Sequence, residues 1–372
     1  MVSIGIPKEI KNNEKRVGMT AQGVSELIRL GATIYVEQDA GIGSGITNEE
    51  YIENGAIIKE TAEEVWAADI VVKVKEPQPE EYGFFRPNLT IYTYFHLANE
   101  PKLAQALKEN QVTAIGYETM VGPNGDLPLL TPMSTIAGRL AVETASHFLG
   151  NQYGGQGILI GGIPGVKNGK VVIIGGGTAG RNAVQTALGL GAHVTVLDIK
   201  METLTEIEQL YGKEIVTLMS NPTNIAEAVK DADIVVGTVL IPGAKAPKLV
   251  TEEMVKSMKP GSVIVDVAVD QGGIFETEDR VTTHDDPVYI KHGVLHYAVA
   301  NMPGAVARTS TIALTNVTLP YLMTILRDGL EESIKNDSTI QTGINTYKGH
   351  ITNEAVATAL DMTSTEILTL IH

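Results

Sequence analysis

Gly175, Gly177 and Gly180 stand in the spacing G-x-G-x-x-G, directly after the β-branched run Lys170–Ile174. A strand that breaks into such a turn and then a helix offers free N–H groups and the positive end of a helix dipole to a phosphate. In this reading Gly175 permits the tight turn, Gly177 lets a pyrophosphate approach the backbone, and Gly180 lets the helix pack close to the strand. A second apolar run, His193–Leu197, ends at Asp198, 18 residues beyond Gly180. That is near the ~20 at which an acid accepts hydrogen bonds from the adenosine ribose. The constellation points to a dinucleotide. An acid at that place favours NAD, since the 2′-phosphate of NADP would meet like charge.

Three further polar residues follow apolar runs. Lys75 follows Ile70–Val74, His96 follows Thr90–Tyr94, and Asp270 follows Ser262–Val267. Ligands of open parallel sheets bind beyond the carboxyl ends of the strands, so these three are expected to face one cleft. A histidine there suits proton transfer near neutrality. No metal is assigned: His292 and His296 are four apart, but Gly293 and the β-branched residues around them disfavour a helix, and His284-Asp285-Asp286 reads as a turn.

The elements that must carry these residues alternate between strand and helix. In the first part, strands are expected at Ser3–Ile6, Thr33–Glu37, Ile70–Val74, Thr90–Tyr94 and Thr113–Tyr117. Thr20 caps a helix that Gly31 stops, and further helices cover Thr61–Ala68 and Pro101–Glu109. After a helix over Thr135–Leu149 and a glycine-rich loop over Gly154–Gly169, a second series begins. Its strands are Lys170–Ile174, His193–Leu197, Ile234–Gly237, Ser262–Val267 and Val294–Val299. Its helices are Ala179–Leu190, Lys200–Tyr211, Asn224–Val229 and Thr251–Ser257. A long helix, Thr309–Arg327, leads to the C-terminal stretch. The expected fold is α/β: two Rossmann-like domains with mostly parallel sheets and a cleft between them. The cofactor domain, 136–307, is inserted into a discontinuous substrate domain formed by 1–135 and 308–372.

Composition narrows the function. The 372 residues carry 28 Lys and Arg against 44 Asp and Glu, a net charge of −16. That argues against broad binding to nucleic acid or anionic membranes. Cysteine is absent, which excludes disulfides, thiol catalysis and Cys-type zinc sites. Met1–Ile10 reaches Pro7 and Lys8 after one short apolar stretch, unlike a signal peptide, and no run of about 18 apolar residues exists. A cytoplasmic location is expected.

Several blocks resemble one family. Ile4-Gly-Ile-Pro-Lys-Glu-Ile-Lys-Asn-Asn-Glu-Lys-Arg16-Val17 is similar to the N-terminal signature of bacterial alanine dehydrogenases. So, block by block, are Val72-Lys-Val-Lys75-Glu-Pro77, Tyr94-Phe-His96-Leu-Ala98, the glycine turn, Asp266-Val-Ala-Val-Asp270-Gln-Gly-Gly273 and Asn301-Met-Pro-Gly304. The soluble domain of proton-translocating transhydrogenase and saccharopine dehydrogenase share part of the pattern. Arg16, Lys75, His96 and Asp270 together fit alanine dehydrogenase best. The alternative is a non-catalytic NAD-binding subunit or a transhydrogenase-type soluble domain.

The resemblance implies reversible oxidation of L-alanine to pyruvate and ammonium with NAD, by a homohexamer. It implies that Arg16 and Lys75 hold the substrate and that His96 and Asp270 carry the chemistry. Arg suits a carboxylate because its planar fork donates two hydrogen bonds. Loss of hydride from the alanine Cα leaves an iminium, water adds, and the carbinolamine collapses. His96 would shuttle the protons, and Asp270 would activate the water or stabilise charge on nitrogen. NAD contacts are implied at Ser134, Gly175, Gly177, Thr178, Ala179, Gly180, Asp198, Ser220, Val239 and Leu240. Others are implied at Val267, Ala268, Val269, Asp270, Arg280, Val299, Ala300, Asn301 and Met302. Thr203 occupies a place where some family members carry a basic residue.

Overall fold

The computed structural model describes residues 1–239, 246–269 and 272–371. The chain divides into two compact units, Met1–Met133 with Val306–His372, and Ser134–Ala305. In chain order the strands of the first unit are β1 (Ser3–Ile6), β2 (Thr33–Glu37), β3 (Ile57–Lys59), β4 (Ile70–Val72), β5 (Thr90–Thr93) and β6 (Thr113–Gly116). The second unit holds β7 (Lys170–Ile174), β8 (His193–Asp198), β9 (Ile215–Met219), β10 (Ile234–Gly237), β11 (Val263–Asp266), β12 (Val288–Lys291) and β13 (Val294–Tyr297). The chain then returns to the first unit with β14 (Ile344–Tyr347) and β15 (His350–Ile351).

Among the described residues, the first unit forms an eight-stranded sheet in the order β15-β14-β6-β5-β4-β1-β2-β3. Strands β1 to β6 are parallel, and β14 and β15 add antiparallel at one edge. The second unit forms a seven-stranded sheet, β12-β13-β11-β10-β7-β8-β9, parallel except for β12. Each sheet contains six parallel strands in the doubly wound order 3-2-1-4-5-6.

The cause is visible in the burial of the central strands. Ile70–Val72, Ile234–Gly237 and Val263–Asp266 are buried at every position, as strands covered on both faces must be. In the second unit alternate residues supply opposite cores. Val171, Ile173, Val194, Val196 and Val236 pack on one face. Val172, Ile174, Leu197, Val235 and Ile264 pack on the other.

The α/β expectation holds, with mostly parallel sheets. Several strands are shorter than the apolar runs suggest: β4 ends at Val72, where its pairing with β1 has stopped, although Lys73 N still donates to Tyr92 O (3.1 Å). The second sheet has more strands than expected, since β9 and the edge strand β12 show only a weak apolar signal, with Val216 53% and Ile290 60% exposed. In the helix Ala21–Arg29, Thr20 Oγ1 accepts from Gly23 N (3.2 Å), and Gly31 follows at φ +88°. The glycine-rich stretch 154–169 is a loop anchored at its ends. Gly157 N donates to Leu149 O (2.7 Å), Gln156 N to Gly261 O (3.1 Å), and Ile160 enters the core.

Candidate active site

In a doubly wound sheet the loops diverge where the strand order reverses, leaving a crevice at the carboxyl ends. In the first unit that point lies between β1 and β4. The segment after β1 brings Glu9, Glu14 and Arg16 there, and the segments after β4 and β5 bring Lys75 and His96.

Arg16 is 2% exposed. Its Nε and Nη2 donate to the two oxygens of Glu14 (2.7 and 2.5 Å), and its Nη1 lies 3.2 Å from Met133 Sδ. Burial opposes the Arg16 charge, but the Glu14 carboxylate outweighs it and holds the guanidinium above its ordinary range. One edge of the fork is therefore engaged by Glu14, a point the fork argument from sequence does not contain.

Lys75 is buried, and its backbone is fixed on both sides. Its carbonyl accepts from Thr93 Oγ1 (3.0 Å), and its N–H donates to Glu9 Oε1 at 3.4 Å. Glu9 also accepts from Val74 N (2.6 Å) and pairs with Lys73 (3.3 Å), which in turn donates to Glu81 (2.8 Å). Burial pushes the Glu9 carboxyl up, against the pull of Lys73 and the Val74 N–H. Burial also works against the Lys73 charge, but Glu9 and Glu81 prevail and raise its pKa above the usual lysine value.

His96 is exposed and sits in the left-handed region, φ 50° and ψ 36°. A non-glycine residue held there costs free energy, and such strain gathers at functional sites. Glu118 holds the turn by accepting from Phe95 N (3.1 Å) and His96 N (2.6 Å). The imidazole stacks on Tyr94, with centroids 6.1 Å apart at 10°. Tyr94 donates to Leu129 O (2.5 Å), and burial, opposed by the Arg16 charge, raises its pKa. Arg16, Lys75 and His96 are thus gathered at neighbouring strand ends around Glu9 and Tyr94. Asp270 and Leu240 lie outside the described residues.

In the second unit the strand order reverses between β7 and β10. Gly175 has φ +105°, which a side chain rarely adopts. A Cβ on Gly180 would stand 1.9 Å from Gly175 O, so only glycine lets the helix Thr178–Gly189 approach. A Cβ on Gly177 would meet nothing within 4 Å: its side faces open space. No described side chain caps the helix N-terminus at Thr178. Bare backbone donors beside open space fit a dinucleotide pyrophosphate.

Asp198 ties this turn together. Its Oδ2 accepts from Gly176 N (2.6 Å) and its Oδ1 from Lys200 N (2.8 Å). Each carboxylate oxygen has room for a further donor, so a role toward ribose is compatible with this one. Ser220 N donates to Asp198 O (2.9 Å), and Val239 adjoins Gly175. Ser134 belongs to the helix Thr131–Phe148, whose Gly138 packs against Ala179.

The remaining expected contacts form a second group. Val267 N donates to Gly237 O (2.9 Å). Val269 packs with Tyr289 and Ala298, and Arg280 lies over the Tyr289 ring at 4.2 Å. Val299 bridges to Thr282, and Asn301 holds φ 62° beyond Val299 and Ala300. The Met302 side chain packs into the core, so any ligand contact there falls to its backbone.

Two family models match the chain, the N-terminal domain of alanine dehydrogenase/PNT over residues 5–137 and the C-terminal domain of alanine dehydrogenase/PNT over 141–354. The chain belongs to the alanine dehydrogenase family. It is 56% identical to the alanine dehydrogenase of Geobacillus stearothermophilus over 372 residues, covering 100% of both chains. A solved L-alanine dehydrogenase matches with a TM-score of 0.94 at 46% identity, over 96% of this chain and 99% of that one. A transhydrogenase from Sinorhizobium meliloti matches with a TM-score of 0.82 at 28% identity, over 95% of this chain and 99% of that one. The expectation of an NAD-dependent dehydrogenase stands, and the non-catalytic and transhydrogenase-type alternatives are not favoured.

Sequence reasoning misses the acids behind the site: Glu9, Glu14, Glu81 and Glu118. Glu9 and Glu14 lie within the N-terminal block that carries the resemblance, but only burial reveals what they hold. The alternating Val72-Lys-Val-Lys75 run was the available signal for Lys73, a lysine between buried apolar neighbours.

No described helix is long and apolar enough to cross a membrane. Among the described residues no cluster of His, Asp and Glu has a metal-binding arrangement. His296 is instead a buried strand residue, bonded to Thr277 Oγ1 (2.7 Å) and Val294 O (3.0 Å), and His292 pairs with Glu252 (2.7 Å).

Proposed function

We propose that this chain catalyses the reversible NAD-dependent oxidative deamination of L-alanine to pyruvate and ammonium. The observation that carries the reading is the gathering of Arg16, Lys75 and His96 at adjacent strand ends, in a chain matched to named alanine dehydrogenases over its whole length. The segments 1–135 and 308–372 form the substrate domain, and 136–307 binds NAD. Glycines 175, 177 and 180, with Thr178 and Ala179, would hold the pyrophosphate. Asp198 would accept from the adenosine ribose, and Ser134, Ser220, Val239, Leu240, Val267–Asp270, Arg280 and Val299–Met302 would be the further NAD contacts. When bound there, NAD supplies the hydride acceptor.

The chain's own residues do the rest. Arg16 binds the substrate carboxylate with the part of its fork that Glu14 does not use, and Glu14 fixes its plane. Lys75 donates to the carboxylate or to the oxygen that becomes the ketone of pyruvate. His96, exposed and braced by Tyr94 and Glu118, exchanges a proton with that oxygen at an imidazole nitrogen. Asp270 activates water or balances positive charge on the substrate nitrogen.

A cytoplasmic homohexamer fits this reading. The loop 154–169 exposes Leu159, Ile163 and Val166 at 67%, 59% and 59%, the apolar surface that subunit contacts cover. The test is NADH production by the purified chain from L-alanine, followed by absorbance, with the mass in solution measured alongside. A pure protein that binds NADH yet forms none from alanine would overturn the assignment.

A further inference from the structure

We propose that Glu9 is a positioning residue: it fixes the backbone at Lys75, and the buried Lys73–Glu81 pair exists to hold Glu9 for that task. The proposal rests on the reading of Lys75 as a substrate ligand. Glu9 uses its two oxygens for different purposes. Oε1 takes the N–H groups of Val74 (2.6 Å) and Lys75 (3.4 Å), the first residues after β4 whose N–H groups reach into the segment. Oε2 faces Lys73 Nζ at 3.3 Å. All of these neighbours are donors, so the carboxylate form is the one that fits.

Lys73 is 0% exposed and cannot leave. Its ammonium donates to Glu81 Oε1 (2.8 Å), and Glu81 Oε2 accepts from Gln78 N (2.7 Å). Tyr117 donates to the Lys73 carbonyl (3.0 Å), and the Lys73 ammonium stands 5.9 Å from the centre of the Trp66 ring. The bonds therefore run from the 3-10 turn Pro79–Phe84 through Lys73 to Glu9, and from Glu9 to the chain at Lys75.

A buried ion triad is weak evidence for stability, because well-packed apolar residues of the same volume often serve as well or better. Its placement asks for another reason. Lys75 has a flexible stem, and a lysine locates a ligand atom only as well as its own Cα is located. Toward β5 the ladder still holds Lys73 N to Tyr92 O (3.1 Å) and Tyr94 N to Val74 O (3.3 Å), but on the β1 side the strand pairing stops at Val71. Glu9 supplies the acceptor that the ladder has ceased to provide, and it comes from the segment that delivers Arg16.

The test uses the full-length enzyme. Glu9→Ala removes both functions while leaving Lys73 paired with Glu81. Glu9→Gln keeps an oxygen for the Val74 N–H. Glu9→Ala should raise KM for alanine and pyruvate at least about tenfold, the size expected of hydrogen bonds to a charged group, with KM for NAD unchanged. Glu9→Gln should stay within about threefold of wild type, since a neutral acceptor keeps roughly half the strength of a charged one. In a Lys75→Ala background, Glu9→Ala should add nothing further to KM, because the residue acts through Lys75. An equal rise in both backgrounds, or no rise, would overturn the proposal.

Amide hydrogen exchange at Val74 and Lys75 gives a readout free of catalysis. Exchange should quicken in Glu9→Ala and be restored in Glu9→Gln. Unchanged protection would overturn the proposal even if the chain made no NADH from alanine. Lost protection in an inactive wild-type background would leave Glu9 holding the Lys75 backbone and place the fault in the substrate assignment alone.

Discussion

The two units repeat one parallel strand order but treat its reversal point in opposite ways. After β7 the chain enters its helix through three glycines, and side chains are cleared from the turn. After β1 it runs through a longer segment that fills the same place with charge, Glu9, Glu14 and Arg16, before the helix Ala21–Arg29 begins. Bare backbone suits a diphosphate, which needs several N–H donors and room. Paired, buried side chains suit a small carboxylate, which needs one or two donors held still. The shared order offers a crevice, and the composition of the first connection decides what enters it.

The units also bury titratable groups differently. The first buries ions with partners: Arg16 with Glu14, and Lys73 between Glu9 and Glu81. The second pairs buried Asp233 with Lys259 (2.8 Å) but also buries groups in their neutral forms. Burial pushes His296 down to about 4, and burial with the neighbouring Asp266 pushes Glu278 up to about 10.

The largest expected effect comes from His96→Ala. If proton transfer belongs to the first unit, kcat should fall by about 10²–10⁴-fold, while NADH binding, read by fluorescence titration, stays as in wild type. A variant retaining half of the wild-type kcat would remove His96 from the reaction.

Acid should then act through the second unit. His296 titrates near 4 in the fold and near 6.5 unfolded. Between those values the unfolded chain binds the extra proton, so stability is fully present above pH 6.5 and is lost as pH falls toward 4. The loss amounts to about 3 kcal/mol at most. Denaturant melts of wild type and His296→Asn at pH 7 and pH 5 measure it. The same acid slope in both proteins would show that the group responsible lies elsewhere.

The alternation of strands and helices and the glycine turn were legible because they follow from local patterns: continuous apolar runs, turn residues and a fixed spacing. The apolar runs Lys170–Ile174 and Ile234–Gly237 emerge with the expected bounds. The acids behind the proposed substrate ligands were not legible. Glu81 reaches Lys73 across eight residues, and Glu9 reaches Val74 across 65, with no spacing rule to relate them. A buried glutamate and a surface glutamate look alike in sequence. Nor did the sequence suggest that Asp198 holds Gly176 and Lys200, since a carboxylate at a strand end carries no mark of which backbone N–H groups it accepts from.

Arg16→Lys sharpens the account of the first unit. Lysine keeps the charge, but it cannot meet both Glu14 oxygens and a substrate carboxylate in one plane. KM for alanine and for pyruvate should rise by about tenfold, a change of ~1.4 kcal/mol, with KM for NAD unaltered. Unchanged values would place Arg16 away from the substrate.

The smallest effect separates ligand from fold in the second unit. Gly180 and Gly177 belong to one turn, yet an added methyl group meets different surroundings at each. At Gly180 the new Cβ would lie 1.9 Å from Gly175 O, so Gly180→Ala must push the helix off the strand. It should lower the melting temperature and weaken NADH together. At Gly177 the new Cβ would enter open space, and the residue sits at φ −68°, which alanine adopts without strain. Gly177→Ala should therefore leave the melting temperature of the ligand-free protein within about 1 °C of wild type, since a solvent-facing change away from packing alters stability by at most about 0.5 kcal/mol. NADH affinity should nevertheless fall several-fold, because the methyl group stands where the pyrophosphate would approach the backbone. Thermal melts with and without NADH resolve the two cases, since a bound ligand stabilises by an amount that grows with the logarithm of its affinity. If Gly177→Ala kept full NADH affinity, the open space beside that turn would not be where the pyrophosphate lies.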